Sequence, residues 1–173
     1  MANDSQLDWL ISQIESISHI KRLRIHTRLP VVLPQRITSG LVDRLQRSRL
    51  IANMVLHINH PQEISAQLSE KVAQLSRNLI RVYNQAVILK NINDDAKTLM
   101  RLNEKLYDNY IQPYYLHAFD KVQGASHFYV SDEQVMSLMR EVIAKQSGYM
   151  IPKLVREIGN RKSKTWLDLS LDV

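Results

Sequence analysis

IANMVLHINHPQEISAQLSEKVAQLSRNLIRVYNQAVIL, residues 51–89, decides the fold. Residues 51–58 are apolar with little alternation and read as a strand covered on both faces. Pro61 ends that run. From about residue 62 to residue 77, Ile64, Leu68, Val72 and Leu75 recur at spacings of four, four and three, which is one face of a helix. Residues 80–89 return to a β-branched, strand-like composition. Two strands joined by a helix of this length form a parallel crossover unit.

The same layout extends both ways. Upstream, Leu7, Leu10, Ile14 and Ile17 mark a helix over 6–17, and residues 21–27 alternate like a short strand. Residues 29–34 contain Pro30 and Pro34 and read as a rigid extended loop. Thr38 is placed to cap a helix over 39–49 that carries Leu41, Val42 and Leu45. Downstream, Asp94 or Asp95 can cap a helix running to about residue 107, and residues 112–119 are a fourth strand. Ser131 and Gln134 have capping-box spacing ahead of a helix to about residue 145. Residues 148–154 look extended, residues 159–164 form a basic tail, and residues 166–173 alternate. Trp9, Met136 and Met139 read as helix core. The fold class is therefore α/β, with a mainly parallel sheet and crossover helices.

Composition narrows the function. The 173 residues carry a net charge of +6 and no cysteine. That excludes disulfides, thiolate-bound zinc and any iron–sulfur cluster held by this chain's own cysteines. The polar, acidic N-terminus lacks the form of a signal peptide, and no apolar run is long enough to span a membrane. A cytoplasmic protein is expected. The basic residues are spread along the chain without interleaved aromatics, which argues against nucleic acid as the partner.

Polar residues gather where strands end. His57, Asn59 and His60 close the second strand; they suit a metal, hydrogen bonds to a polar ligand, or plain loop structure. Asn84 and Gln85 interrupt an apolar strand, and alternation aims one of them into the space beside the sheet. They are a satisfied buried pair or include a ligand-reading glutamine. Asp120 lies just past the fourth strand. It can hold a cationic group or cap a loop with Lys121. By spacing alone, Lys162, Ser163 and Lys164 belong to a solvated basic tail.

Several blocks together carry a resemblance: LRIHTRLPVVLPQRIT at 23–38, HINHPQEI at 57–64, YNQAVILKNINDD at 83–95, PYYLHAFDKVQGASHF at 113–128, SGYMIPKLVREIG at 147–159 and SKTWLDL at 163–169. The chain resembles the C-terminal part of the lysine 2,3-aminomutase family. It looks closest to the branch that forms (R)-β-lysine for elongation factor P. The resemblance implies a partial (β/α) barrel with about the last four of six parallel strands, residues 1–158, and a C-terminal tail, residues 159–173. It also implies an isomerase in which a 5′-deoxyadenosyl radical and pyridoxal phosphate move the amino group of L-lysine from C2 to C3. Metal binding through a [4Fe–4S] cluster and S-adenosylmethionine go with that chemistry.

By the same resemblance Lys164 falls on the lysine that bonds pyridoxal phosphate. Asp120 and Glu157 fall on the acids that bind the substrate ammonium, and Gln85 and His57 line the S-adenosylmethionine side. The stretch before Lys164 lacks the family's usual glycines, and Trp166 replaces a common proline. Residue 1 falls just before what resembles the third barrel strand, so the cluster loop is expected to be missing and the chain inactive alone. Two alternatives stand beside an inactive fragment. One is a non-catalytic pyridoxal phosphate or lysine binding module. The other is a half that complements a separate N-terminal chain. The uncovered edge at residues 22–27 is expected to promote self-association.

Overall fold

The computed structural model describes residues 2–120, 124–159 and 161–167. Its centre is one six-stranded sheet in the order β1 (Arg22–Thr27), β2 (Ile51–His57), β3 (Arg81–Val87), β4 (Ile111–His117), β5 (Lys153–Arg156) and β6 (Thr165–Trp166). The first five strands are parallel neighbours, and β6 turns back antiparallel on β5. The sheet therefore holds two strands more than the four expected. Strand β5, four residues long, overlaps the extended stretch expected at 148–154, and β6, two residues long, falls at the start of the alternating stretch 166–173.

The α-helices among the described residues are α1 (Asp4–Glu15), α2 (Leu29–Val32), α3 (Ser39–Gln46), α4 (Ala66–Arg77), α5 (Ala96–Asp108) and α6 (Asp132–Lys145). Strands that follow one another in spatial order, each reached by a right-handed crossover, put their helices on a single face. The burial pattern agrees. Ala52, Met54 and Leu56 of β2, Val82 and Ala86 of β3, Leu116 of β4 and Leu154 of β5 join the helices in one core. The opposite, open face carries Arg24, Asn53, Tyr83 and Gln85. Strand β2 is consequently not covered on both faces: Val55 is buried on the open side, whereas Ile51 is exposed. The arrangement is an open (β/α) sheet, not a closed barrel.

Local chemistry explains most element ends. The side chains of Thr38, Ser65 and Asp95 accept from Leu41 N, Leu68 N and Thr98 N, and Ser131 forms the expected capping box with Gln134. The extended loop expected at 29–34 is instead one helical turn followed by a 3₁₀ turn over Pro34–Arg36. Both prolines sit in first turns, where a backbone N–H would have no intrahelical partner. A 3₁₀ turn over Gly148–Met150 likewise precedes β5. Trp9 is not core. It is 65% exposed, and α1 buries Ile11, with Leu7 beside it, in place of a stripe through Leu10 and Ile17. The contact with α3 selects one four-residue spacing, and Trp9 lies off that face.

Glu15 fastens α1 to the domain. Its carboxylate accepts from Arg44 Nη2 at 2.7 Å, from Arg49 N at 3.2 Å and from the Ser48 hydroxyl. The Arg44 guanidinium and Ser48 hydrogen bonds hold its pKa down to about 2, from an ordinary 4.5. A depressed carboxylate contributes stability that is complete above pH 4.5 and is lost as pH falls towards 2. Arg44→Ala should lower stability at pH 7 by about 1–2 kcal/mol. In thermal melts that is a fall of roughly 3–6 °C. The gap from the parent should narrow as pH drops through the same window; a gap unchanged down to pH 2.5 would contradict the assignment.

Candidate functional site

Two buried asparagine side chains, Asn84 and Asn93, and the half-buried Asn59 shape the ends of β2 and β3. Asn84 clamps the peptide group of Ile58, accepting from its N–H at 2.8 Å and donating to its carbonyl at 2.9 Å. Asn59 Oδ1 accepts from Val87 N at 2.9 Å. Asn93 donates to the carbonyls of Asn59 and Val87 and accepts from Leu89 N. Both ends of the Asn84 and Asn93 amides and the Asn59 oxygen serve backbone, so the role of this cluster is to hold the strand ends in place. Of the interrupting pair, Asn84 is thus the satisfied member, and Gln85 faces the open side.

Register sets what gathers there. Strand pairing puts His57 beside Gln85, and Gln85 beside Tyr115. Gln85 Nε2 donates towards His57 Nε2 at 3.1 Å, while Gln85 Oε1 is buried without a hydrogen-bond partner. Turning the amide over only exchanges which end is orphaned. A bulge in β4 inserts one extra residue opposite β3, and Tyr114 and Tyr115 stack with ring centroids 3.8 Å apart. His117, at the end of β4, is 9% exposed, and its Nε2 is also buried without a partner. Burial, with smaller contributions from the Lys164 and His57 charges, drives the His117 pKa down to about 4 from 6.5. Burial likewise lowers His57 and His26, assisted by the Arg28 and Lys164 charges at His57 and by Arg24 first at His26.

Lys164 immediately precedes β6. Its ammonium forms an ion pair with Glu157 and lies 5.7 Å from the Tyr115 ring centre. Burial lowers its pKa; Asp120 raises it and Arg24 lowers it further, the balance being downward. Lys164, Glu157 and the Asp120 charge thus come together beside His57, Gln85 and His117 on one side of the sheet. His60 does not join them. Its ring caps a 3₁₀ turn, and Glu63 accepts from Asn59 N and His60 N. Lys121 and residues 168–173 of the alternating tail lie outside the described residues.

His117, Tyr115, Arg24 and His26 were not singled out from the sequence. The usable signal was register: His117 pairs with Val87, two residues beyond Gln85 on the same face.

An open, one-sided (β/α) sheet with polar strand ends defines the structural class. Its fold is similar to that of Streptococcus suis SuiB, solved bound to S-adenosylmethionine, with a TM-score of 0.59 over 90% of this chain and 37% of that one, at 14% identity. The chain is homologous to the L-lysine 2,3-aminomutases. It is 52% identical to the Escherichia coli K12 protein over 171 residues, 99% of this chain and 50% of that one. It is 49% identical to the Haemophilus influenzae protein, over 95% of this chain and 49% of that one. Glutamate 2,3-aminomutase of Clostridioides difficile is 32% identical over 88% of this chain and 36% of its own length. The chain therefore spans about half the length of the closely similar curated relatives. No protein-family model matches it.

One expectation is corrected. Metal binding and an iron–sulfur cluster are not properties of these residues. The chain has no cysteine, and among the described residues no group of three or more His, Cys, Asp or Glu side chains could hold a metal ion. No helix among the described residues is long and apolar enough to cross a bilayer.

Proposed function

We propose that this chain forms the lysine-bearing, C-terminal part of an L-lysine 2,3-aminomutase, of the branch that makes (R)-β-lysine. The single observation that carries the proposal is the convergence of Lys164, Glu157 and Asp120 with two buried, unpartnered polar atoms, Gln85 Oε1 and His117 Nε2. Buried polar atoms without partners suit a ligand that supplies the missing hydrogen bonds. A lysine whose ammonium is destabilised suits bonding to an aldehyde cofactor.

Residues 1–158 are assigned to the partial barrel and 159–173 to the tail that brings in Lys164 and, through β6, joins the edge of the sheet. Pyridoxal phosphate, when bound, supplies the electron-accepting ring used in amino-group migration. The chain's own residues bind and orient. Lys164 is the attachment point. Asp120 and Glu157 hold the substrate ammonium once Glu157 leaves Lys164, and His57 with Gln85 lines the S-adenosylmethionine side. Burial keeps His117 neutral, so it offers a polar nitrogen without adding a positive charge beside Lys164. Lacking thiolates, these residues bind without generating a radical, and the chain alone is inactive in aminomutation. A separate N-terminal chain, or a second copy, would cover the edge of β1.

The test is covalent. Purified protein incubated with pyridoxal phosphate and reduced with borohydride should gain one cofactor mass on Lys164, located by peptide mass spectrometry. Lys164→Ala should abolish the modification at that peptide, and labelling spread evenly over surface lysines would overturn the reading.

A further inference from the structure

The N-terminal ends of the strands hold a second feature of the open face. Arg24, Asn53 and Arg81 occupy one register row across β1, β2 and β3, and Arg22 sits one row below. Neighbouring strands lie about 4.8 Å apart, which sets the Arg24 and Arg81 backbones roughly 10 Å from each other. Together with Tyr83 and Tyr114 these arginines line a groove of about 650 Å³. No carboxylate lines it. Four arginines elsewhere are matched, Arg28 with Glu63, Arg36 with Asp4, Arg44 with Glu15 and Arg156 with Asp132, and Arg49 is held by the carbonyls of Glu15, Ile17 and Ile20. Arg22, Arg24 and Arg81 make no ion pair among the described residues. Asn53 turns its amide nitrogen to the carbonyls of Leu23 and Ile51, so it neither neutralises nor blocks the arginines.

Three uncompensated guanidinium groups facing one groove repel each other and concentrate positive potential there. Guanidinium forks match the oxygens of phosphate, and several forks favour a multiply charged oxyanion over a single carboxylate. The two tyrosine rings, 5.4 Å apart, give the same groove an aromatic wall. The groove adjoins the Lys164 cluster without sharing its lysine: Arg81 and Gln85 are four residues apart on β3, about 13 Å along the strand, and Lys164 does not line the groove.

We infer that Arg22, Arg24 and Arg81 form a binding site for a polyvalent phosphate, carried by a nucleotide or by a free oligophosphate. Occupation would neutralise the Arg24 charge that reaches Lys164 and His26.

The probes are ATP, tripolyphosphate and adenosine, titrated by calorimetry against the 173-residue protein at low salt with chelator present. ATP and tripolyphosphate should bind saturably and weaken as salt rises. Arg24→Ala with Arg81→Ala should weaken binding at least tenfold, whereas Arg140→Ala, an exposed arginine on α6, and Lys164→Ala should leave it unchanged. Circular dichroism of each variant verifies folding. Tighter binding of ATP than of tripolyphosphate identifies a nucleotide site, and equal binding an oligophosphate site. The inference fails if neither anion binds, if adenosine binds as well as ATP, or if Lys164→Ala removes the binding and the arginine variants do not.

Discussion

Asn93→Ala is expected to lower the melting temperature by about 10 °C, the largest fall for any single polar truncation in the domain. Asn93 is fully buried. Its amide nitrogen donates at 2.8 Å to Asn59 O and at 2.9 Å to Val87 O, and its oxygen accepts from Leu89 N at 2.7 Å. Alanine would leave three backbone groups without partners in a site with no room to rearrange. An unsatisfied buried group costs about 1–3 kcal/mol, so a total of about 3–4 kcal/mol is expected after partial relaxation. Because the same amide ties the turn after β2 to the end of β3, the loss should also loosen His57 and Gln85. A thermal melt within 2 °C of the parent would contradict the reading of Asn93 as the clip between these two ends.

The second large effect concerns acid. His117 has a folded pKa of about 4 against 6.5 when exposed. A histidine kept neutral by burial contributes nothing adverse above pH 6.5. As pH falls from 6.5 to 4 the unfolded chain takes up the proton and the folded one does not, so stability declines across that window. At 1.36 kcal/mol per pKa unit, the decline due to His117 is about 3 kcal/mol. His57 and His26 shift the same way and add to it. Urea unfolding at pH 7 and at pH 4.5 should show the parent losing stability much faster than His117→Gln, which has no proton to gain. Equal losses in both proteins would remove His117 from the account.

The parallel sheet was legible because β2, α4 and β3 carry strong patterns: an apolar run, a 3.6-residue period and a β-branched run. Helix starts were legible where Thr38, Asp95 and Ser131 announced them. Helix ends were not. The chain leaves α4 and α5 through Leu79 and Tyr110, both in the left-handed backbone region usually filled by glycine. No composition cue marks a leucine or tyrosine in that role. Residues 148–154 and 166–173 showed as extended and alternating, but not as strands of this sheet, because pairing partners and not residue pattern set the bounds of segments as short as β5 and β6.

Within the candidate site, spacing alone could not separate Asn84, which serves the backbone, from Gln85, which faces the cleft. Parallel register did. Lys164, Asp120 and Glu157 came from the family resemblance and not from spacing. His117 was overlooked since a histidine in an apolar strand has no sequence mark distinguishing a packed ring from an orphaned nitrogen.

Strand β6 is anchored by two residue pairings with β5 and a Leu167 N to Leu154 O hydrogen bond of 3.1 Å. The other strands are embedded in the parallel ladder and share one apolar core. Peeling β6 away would break these bonds, the contact of the Lys153 ammonium with the Trp166 ring and the packing of Leu167 on the core, and leave the five parallel strands paired. Lys164 rides on this weakest hem of the fabric: the amine can swing clear of Glu157 and return without the scaffold having to melt.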